Sequence, residues 1–195
     1  MSSIYCENVN LTVGSLEFKP VSEHLELLAP PVAEALRCLS GEEGAGVSEI
    51  DPSAADTMTF CGRYNVPPEI SANCVVLQAK RGQKAWFAAC VILATTRADV
   101  NGTVRQILQA RKVSFASMQE AVSLTRMEYG GITPIGLPGD WPLLVDTAVA
   151  DADCVIVGSG MRKSKVAIRG RFLAQLPGAR VVEGLGQFKA NAQSA

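Results

Sequence analysis

The chain has 195 residues, 48% of them apolar, and a formal net charge of −1, enough for one globular domain with a real core and too apolar for a mainly disordered chain. Its longest apolar run, residues 85–94, is ten residues long, against the roughly 20 that a bilayer-crossing helix needs. The first residues show neither part of a secretory signal, so a cytoplasmic protein without membrane association is expected.

The six cysteines form no C-x-x-C pair and His24 is the single histidine. That excludes a His-rich metal site, and reduced thiols with no metal and no cofactor are expected. The near-neutral net charge hides an asymmetry. Residues 1–72 carry 11 acidic and 3 basic side chains, net −8, and residues 73–195 carry 8 acidic and 15 basic, net +7. A basic half of this kind fits a phosphate-bearing partner, or else two halves that complement each other within one fold.

In chain order, apolar residues at Leu25, Leu28, Val32, Leu36 and Leu39 carry a helical period that Pro30-Pro31 should split into two helices. The glycine-rich stretch 40–46 reads as a linker, so residues 1–46 form an N-terminal extension, 47–186 the main domain and 187–195 a flexible tail. Residues 47–50 read as a strand, after which Asp51 or Ser53 could cap a helix running to about Arg63. Residues 74–80 and 85–94 read as two strands joined by a tight turn at Gly82, the second apolar on both faces and therefore central. Residues 101–109 suggest a helix. Ser117 followed by Glu120 is a capping-box signature opening a helix at Met118. Strands are expected at 143–147, 154–157, 165–168 and 180–183, with a short helix at 172–176. Strands and helices alternate without a doubly wound rhythm, giving an α/β (α+β) chain with one mixed, partly barrel-like sheet and flanking helices. Val75, Leu77, Phe87, Ala89, Val91, Leu93, Val145, Val155, Val157 and Ile168 are its expected core.

Chemistry points to the second half. Ten of the 17 glycines lie between Gly130 and Gly186, densest around Gly130, Gly131, Gly136 and Gly139, with Pro134 and Pro138 between them. Such a loop is open and rigid, so it can bring backbone groups up to a ligand or simply build turns. Gly158-Ser159-Gly160 follows a strand, but Lys163 stands where a dinucleotide fingerprint needs its third glycine, and no Walker sequence occurs. Arg162, Lys163 and Lys165 instead set cations beside this turn, as a phosphate site or a solvated hairpin tip would.

From about Cys74 to Leu185 the chain resembles the YbaK/EbsC-type aminoacyl-tRNA deacylases, which are related to the editing domain of prolyl-tRNA synthetase. The matching pieces run in order: a strand pair, Arg97-Ala98-Asp99, residues 113–120, Leu124-Thr125 leading into the G-x-x-x-P loop Gly130-Gly131-Ile132-Thr133-Pro134, then Leu144-Val145-Asp146 and Val157-Gly158-Ser159-Gly160. The resemblance implies a pocket for the aminoacyl-adenosine end of a mischarged tRNA, in which residues 130–134 hold the aminoacyl group and position a water. Asp146, Gly158, Ser159 and Gly160 would shape the binding site. An aminoacyl ester is activated, so oriented dipoles and a held water could suffice without a histidine. On this reading Gly131→Val should plug the pocket.

Two positions depart from the resemblance. Asn73 stands where it implies a lysine holding the terminal phosphate or ribose, and Arg126 stands where it implies glycine. Either Lys80, Arg81 or Lys163 takes over, or the substrate differs, or the protein binds without hydrolysing. The expected function is a trans-editing hydrolase acting on tRNA, with an aminoacyl-tRNA synthetase as a further candidate partner. The alternative is a non-catalytic aminoacyl-tRNA or nucleotide-binding module of the same fold.

Overall fold

The structure, a computed structural model, describes residues 11–37 and 44–188. The chain opens with a hairpin, β1 (Leu11–Val13) and β2 (Leu16–Pro20), then α1 (Pro30–Arg37), β3 (Gly46–Glu49) and α2 (Thr57–Tyr64). A long hairpin follows, β4 (Ala72–Arg81) and β5 (Lys84–Leu93), then β6 (Thr96–Ala98), α3 (Arg105–Ile107), β7 (Lys112–Phe115) and α4 (Met118–Thr125). The last part holds β8 (Leu143–Asp146), α5 (Thr147–Ala150), β9 (Val155–Gly158), β10 (Ser164–Ile168), α6 (Gly170–Leu173), β11 (Ala179–Val182) and β12 (Gly186–Phe188).

The fold is mixed α+β, a curled half-barrel with helices around it. One five-stranded sheet has the order β1-β2-β3-β10-β9, antiparallel throughout. The other has the order β11-β8-β5-β4-β7, parallel where β8 meets β5 and β11 and antiparallel elsewhere. The expected single sheet is therefore two. They touch through an isolated parallel bridge between Ser71 and Ile156, because β10 takes β3 as its second partner and leaves β9 at an edge. Leu77, Ala89, Val91, Val145, Val155, Val157 and Ile168 are buried as expected. Val75, Phe87 and Leu93 are half-buried, with Phe87 stacked on Trp141 at 5.4 Å between ring centroids.

Capping chemistry sets the helix starts. Ser117 and Glu120 form the complete capping box of α4. Asp51 caps only a 3-10 turn, Pro52–Ala54, and it is Asp56 that opens α2, accepting the backbone N–H groups of Met58 and Thr59 at 3.1 Å each. Pro30 begins α1 as expected, where its missing N–H costs nothing. His24 sits between two 3-10 turns rather than on a helix face, with Nδ1 3.2 Å from Glu26.

Part of the N-terminal piece is built into the body. Val13, Leu16 and Phe18 pack with Phe60 and Ile156, while Leu28, Val32 and Leu36 join the core between the sheets. The linker at 40–46 and the tail at 187–195 fall largely outside the described residues. Cys61, Cys74 and Cys90 are free thiols, whereas Cys154, expected reduced, is disulfide-bonded. Among the described residues no helix is long and apolar enough to cross a membrane, and no three His, Cys, Asp or Glu side chains cluster as a metal site.

Candidate functional site

Beyond the Ser71–Ile156 bridge the two sheets part, and a cavity of about 880 Å³ opens between them. β7 pairs with β4 only from Leu77 to Lys80, so the start of β4 keeps one free edge. Asn73, Cys74, Val75 and Val76 line the cavity from that edge, opposite Gly158 at the end of β9 and Lys165 on β10. Thr57, Arg97, Phe115, Tyr129, Gly130, Ile132 and Arg162 complete most of its wall.

One wall is made of backbone. The loop 130–134 lies directly on the turn 158–161: the Gly160 N–H donates to the Gly131 carbonyl at 2.8 Å, and the Glu128 N–H donates to the Gly160 carbonyl at 2.8 Å. A side chain on Gly158 would meet the Gly131 carbonyl oxygen at 2.3 Å, and one on Gly131 would meet the Met161 backbone at 2.6 Å. Both glycines are therefore required by close approach of two backbones. Arg162 ties the same wall to its surroundings, its guanidinium donating to Tyr129 O at 3.1 Å and to Pro52 O at 2.8 Å. The N–H groups of Gly130 and Ile132, both on the cavity wall, have no hydrogen-bond partner among the described residues.

The facing wall is made of side chains. Thr57, in the first turn of α2, donates its hydroxyl to Asn73 Oδ1, which leaves the Asn73 amide NH₂ as a donor. The Asp56 carboxyl is held below its usual range, first by the Thr59 backbone N–H. Lys165 is only 6% exposed, and its ammonium donates to Ala55 O at 3.0 Å and lies 5.1 Å from the Phe60 ring centroid. Burial, the dominant cause, lowers its pKa from 10.5 to about 8, while nearby Cys61 and Asp56 pull it back up. Cys74 also lines the cavity, but burial pushes its thiol upward and Cys90 reinforces the shift. The protonated sulfur is a poor nucleophile.

The structure brings together Asn73, Gly130, Ile132, Gly158 and Arg162 of the residues singled out in the sequence. Gly131, Thr133 and Pro134 are buried behind that surface, and the Thr133 hydroxyl has no hydrogen-bond partner. Gly131→Val would thus collide with the turn instead of plugging the pocket. Ser159 and Gly160 serve the turn itself: the Ser159 hydroxyl accepts the Met161 N–H at 3.1 Å and contacts Ser164, and Gly160 takes a φ of +81°.

Asp146 caps α5 through the Ala148 N–H at 2.9 Å and accepts the Gly186 N–H at 2.6 Å, so both carboxylate oxygens are spent on backbone. Lys163 is half-buried and adds to the charge around Glu26, away from the cavity wall. Lys80 and Arg81 lie seven and eight residues along β4 from Asn73, about 25 Å away at the rise of a strand. There Arg81 borders a separate shallow groove with Arg105 and Arg111. The sequence alone leaves Lys165 as either a phosphate-site cation or part of a solvated hairpin tip, and not as the enclosed side chain it is. Strand alternation could have found it, since Val166 and Ile168 share one face and Lys165 and Ala167 the other, which α2 covers.

A sequence profile of the aminoacyl-tRNA editing domain matches residues 51–176, nearly the whole frame of this cavity. The chain belongs to the aminoacyl-tRNA editing domain family. Among solved structures, an editing-fold neighbour is a protein proposed to be a trans-editing enzyme for prolyl-tRNA synthetase, 19% identical with a TM-score of 0.68 over 82% of this chain and 96% of its own. A scaffold from epitope backbone grafting by computational design has the same identity and TM-score over 82% and 97%. The hypothetical protein APE2540 is 19% identical with a TM-score of 0.66 over 86% and 99%. At this identity the likeness shows the fold. No curated protein matches the chain in sequence.

Proposed function

We propose that this editing-family chain is a trans-editing hydrolase that clears a mischarged small amino acid from tRNA. The observation that carries the reading is the single cavity that joins Gly130, Ile132 and Gly158 to Asn73 and Lys165. Its volume, about 880 Å³, suits a terminal aminoacyl-adenosine. A size sieve is the chemistry expected of such a site, because one methylene gives only about 1–3 kcal/mol of discrimination at a first site.

The attacking group is a water, since no histidine lines the cavity and Cys74 stays a thiol. The water oxygen adds to the ester carbonyl carbon and negative charge gathers on the carbonyl oxygen. The carbon–oxygen bond to the ribose then breaks, one proton of the water passes to the ribose oxygen, the other is released to solvent, and the amino acid leaves as its carboxylate. The free N–H groups of Gly130 and Ile132, the Asn73 amide and the Lys165 ammonium are donors fixed before substrate arrives, which is how a site stabilises such charge without reorganising. The tRNA is the partner and the cytoplasm the place of action. The neighbour named for prolyl-tRNA synthetase makes tRNA for proline the first candidate.

One observation favours a second reading, a non-catalytic binding module: Asn73 is neutral and already engaged by Thr57. Single-turnover incubation with alanyl-, seryl- and prolyl-tRNA separates the two. Hydrolysis faster than the uncatalysed rate for at least one substrate is the expected result, and protection of every ester establishes the binding module instead.

A further inference from the structure

The cavity mouth carries two large aromatic side chains in solvent. Phe115, at the end of β7, is 67% exposed, and Tyr129, just before the glycine loop, is 56% exposed. Among the other described aromatics, Phe18, Phe60 and Trp141 are buried and Phe87 is stacked on Trp141, while Phe188, outside the cavity lining, is 84% exposed. Exposed aromatics that share the lining of one cavity are a binding surface more than a packing defect. Arg97, exposed on β6, lines the same cavity, and its guanidinium has no ion pair or hydrogen bond among the described residues. Arg162, a second cation of the lining, is fixed by the Tyr129 backbone carbonyl.

Resting on the editing reading, we infer that Phe115 and Tyr129 are stacking platforms for the unpaired 3′-terminal nucleotides of the tRNA, with Arg97 facing the phosphates that join them. Unpaired bases are recognised by stacking on exposed aromatic side chains, and every base offers a face for it. The charge argues for RNA over an apolar protein segment, because an unpaired arginine that shares one cavity lining with two exposed aromatics complements a phosphate chain and would be left buried without a partner under an apolar cover. The inference gives the cavity a grip on the end of any tRNA. The aminoacyl group alone is then left to be sorted inside.

The test measures equilibrium binding of an unacylated proline tRNA transcript, intact or lacking its unpaired 3′ nucleotides, to the full chain and to Phe115→Leu, Tyr129→Leu and Phe115→Tyr. Both side chains are exposed, and thermal unfolding checks that each variant remains folded. The wild type should bind the intact transcript at least about fivefold more tightly than the truncated one, as a stacked base provides. Each leucine variant should lose most of that preference, while Phe115→Tyr keeps it. An equal preference in the leucine variants, or none in the wild type, overturns the inference. Deacylation by the wild type reports separately on the editing reading: hydrolysis without aromatic-dependent binding sinks only this inference, and aromatic-dependent binding without hydrolysis sinks only the hydrolase.

Discussion

Two concave regions of this molecule carry positive charge, and they differ in how their groups are held. At the far end of the β4–β5 hairpin, Arg81, Arg105 and Arg111 border a shallow groove and all three are exposed, with Arg81 and Arg105 each donating to a single carbonyl, Gln109 O at 3.3 Å and Asn101 O at 2.8 Å. Between the sheets, Arg162 is pinned by two carbonyls, Lys165 is enclosed under α2, and the glycine wall locks one backbone onto another. Charge and concavity alone do not distinguish the two regions. Preorganisation does, because a donor already fixed costs no ordering when substrate arrives.

The largest way to break this comparison is to substitute a glycine in each region. Gly131→Ala sets a methyl group 2.6 Å from the Met161 backbone and should cost about 3 kcal/mol. Gly82→Ala, in the hairpin turn, has open space around it and pays only for its φ of +61°, about 1 kcal/mol. Denaturant midpoints measure both, and equal losses would mean that the glycine wall is not locked.

Lys165 gives the next effect, and its sign is set by a pKa lowered on folding. Below pH 8 the burial penalty on the ammonium is present in full. It is relieved as pH rises from about 8 towards the unfolded value of 10.5, because the unfolded chain binds the extra proton there. Wild-type stability should therefore gain, relative to Lys165→Met, on the order of 3 kcal/mol at most across that window. Urea unfolding at pH 7.5 and 10 checks it, and parallel behaviour of the two proteins would show that the ammonium is solvated.

The smallest effect sits at Arg126, which ends α4 in the left-handed region with a φ of 56°. Arg126→Gly should stabilise the protein by about 1 kcal/mol, since glycine adopts this conformation without the steric cost. A lowered melting temperature would contradict it. The residue also explains why glycine is the residue that the family resemblance implies at this place.

Much of this architecture is legible in the sequence where local chemistry decides it. The α4 capping box, the Pro30 helix start and the β4–β5 hairpin stand where spacing places them. The β1–β2 hairpin was readable too, since Leu16 and Phe18 point inward between exposed Glu17 and Lys19 after a glycine turn. Without that hairpin, the sequence alone leaves open whether residues 11–37 dock on the body. The division into two sheets is not local, because it depends on β10 pairing with β3 across more than a hundred residues.

The site divides in the same way. Glycines announce themselves, since few contexts other than close backbone approach call for so many. A side chain recruited from a distant strand does not. Lys165 reaches the cavity only because β10 lies under α2, and Asp146 reads as a site residue until its two backbone partners are seen. Lys80 and Arg81 were attractive for their charge, and the length of β4 alone carries them away from Asn73.

The central claim is that the aminoacyl end of the substrate sits between the sheets. Amide chemical shifts, recorded while a non-hydrolysable amide-linked alanyl-adenosine is titrated into the full chain, test it most directly. The account predicts that Asn73, Gly130, Ile132 and Gly158 shift together with one saturation curve while Arg81, Arg105 and Arg111 stay in place. Shifts confined to the hairpin groove, or none near the glycine wall at saturation, would contradict it.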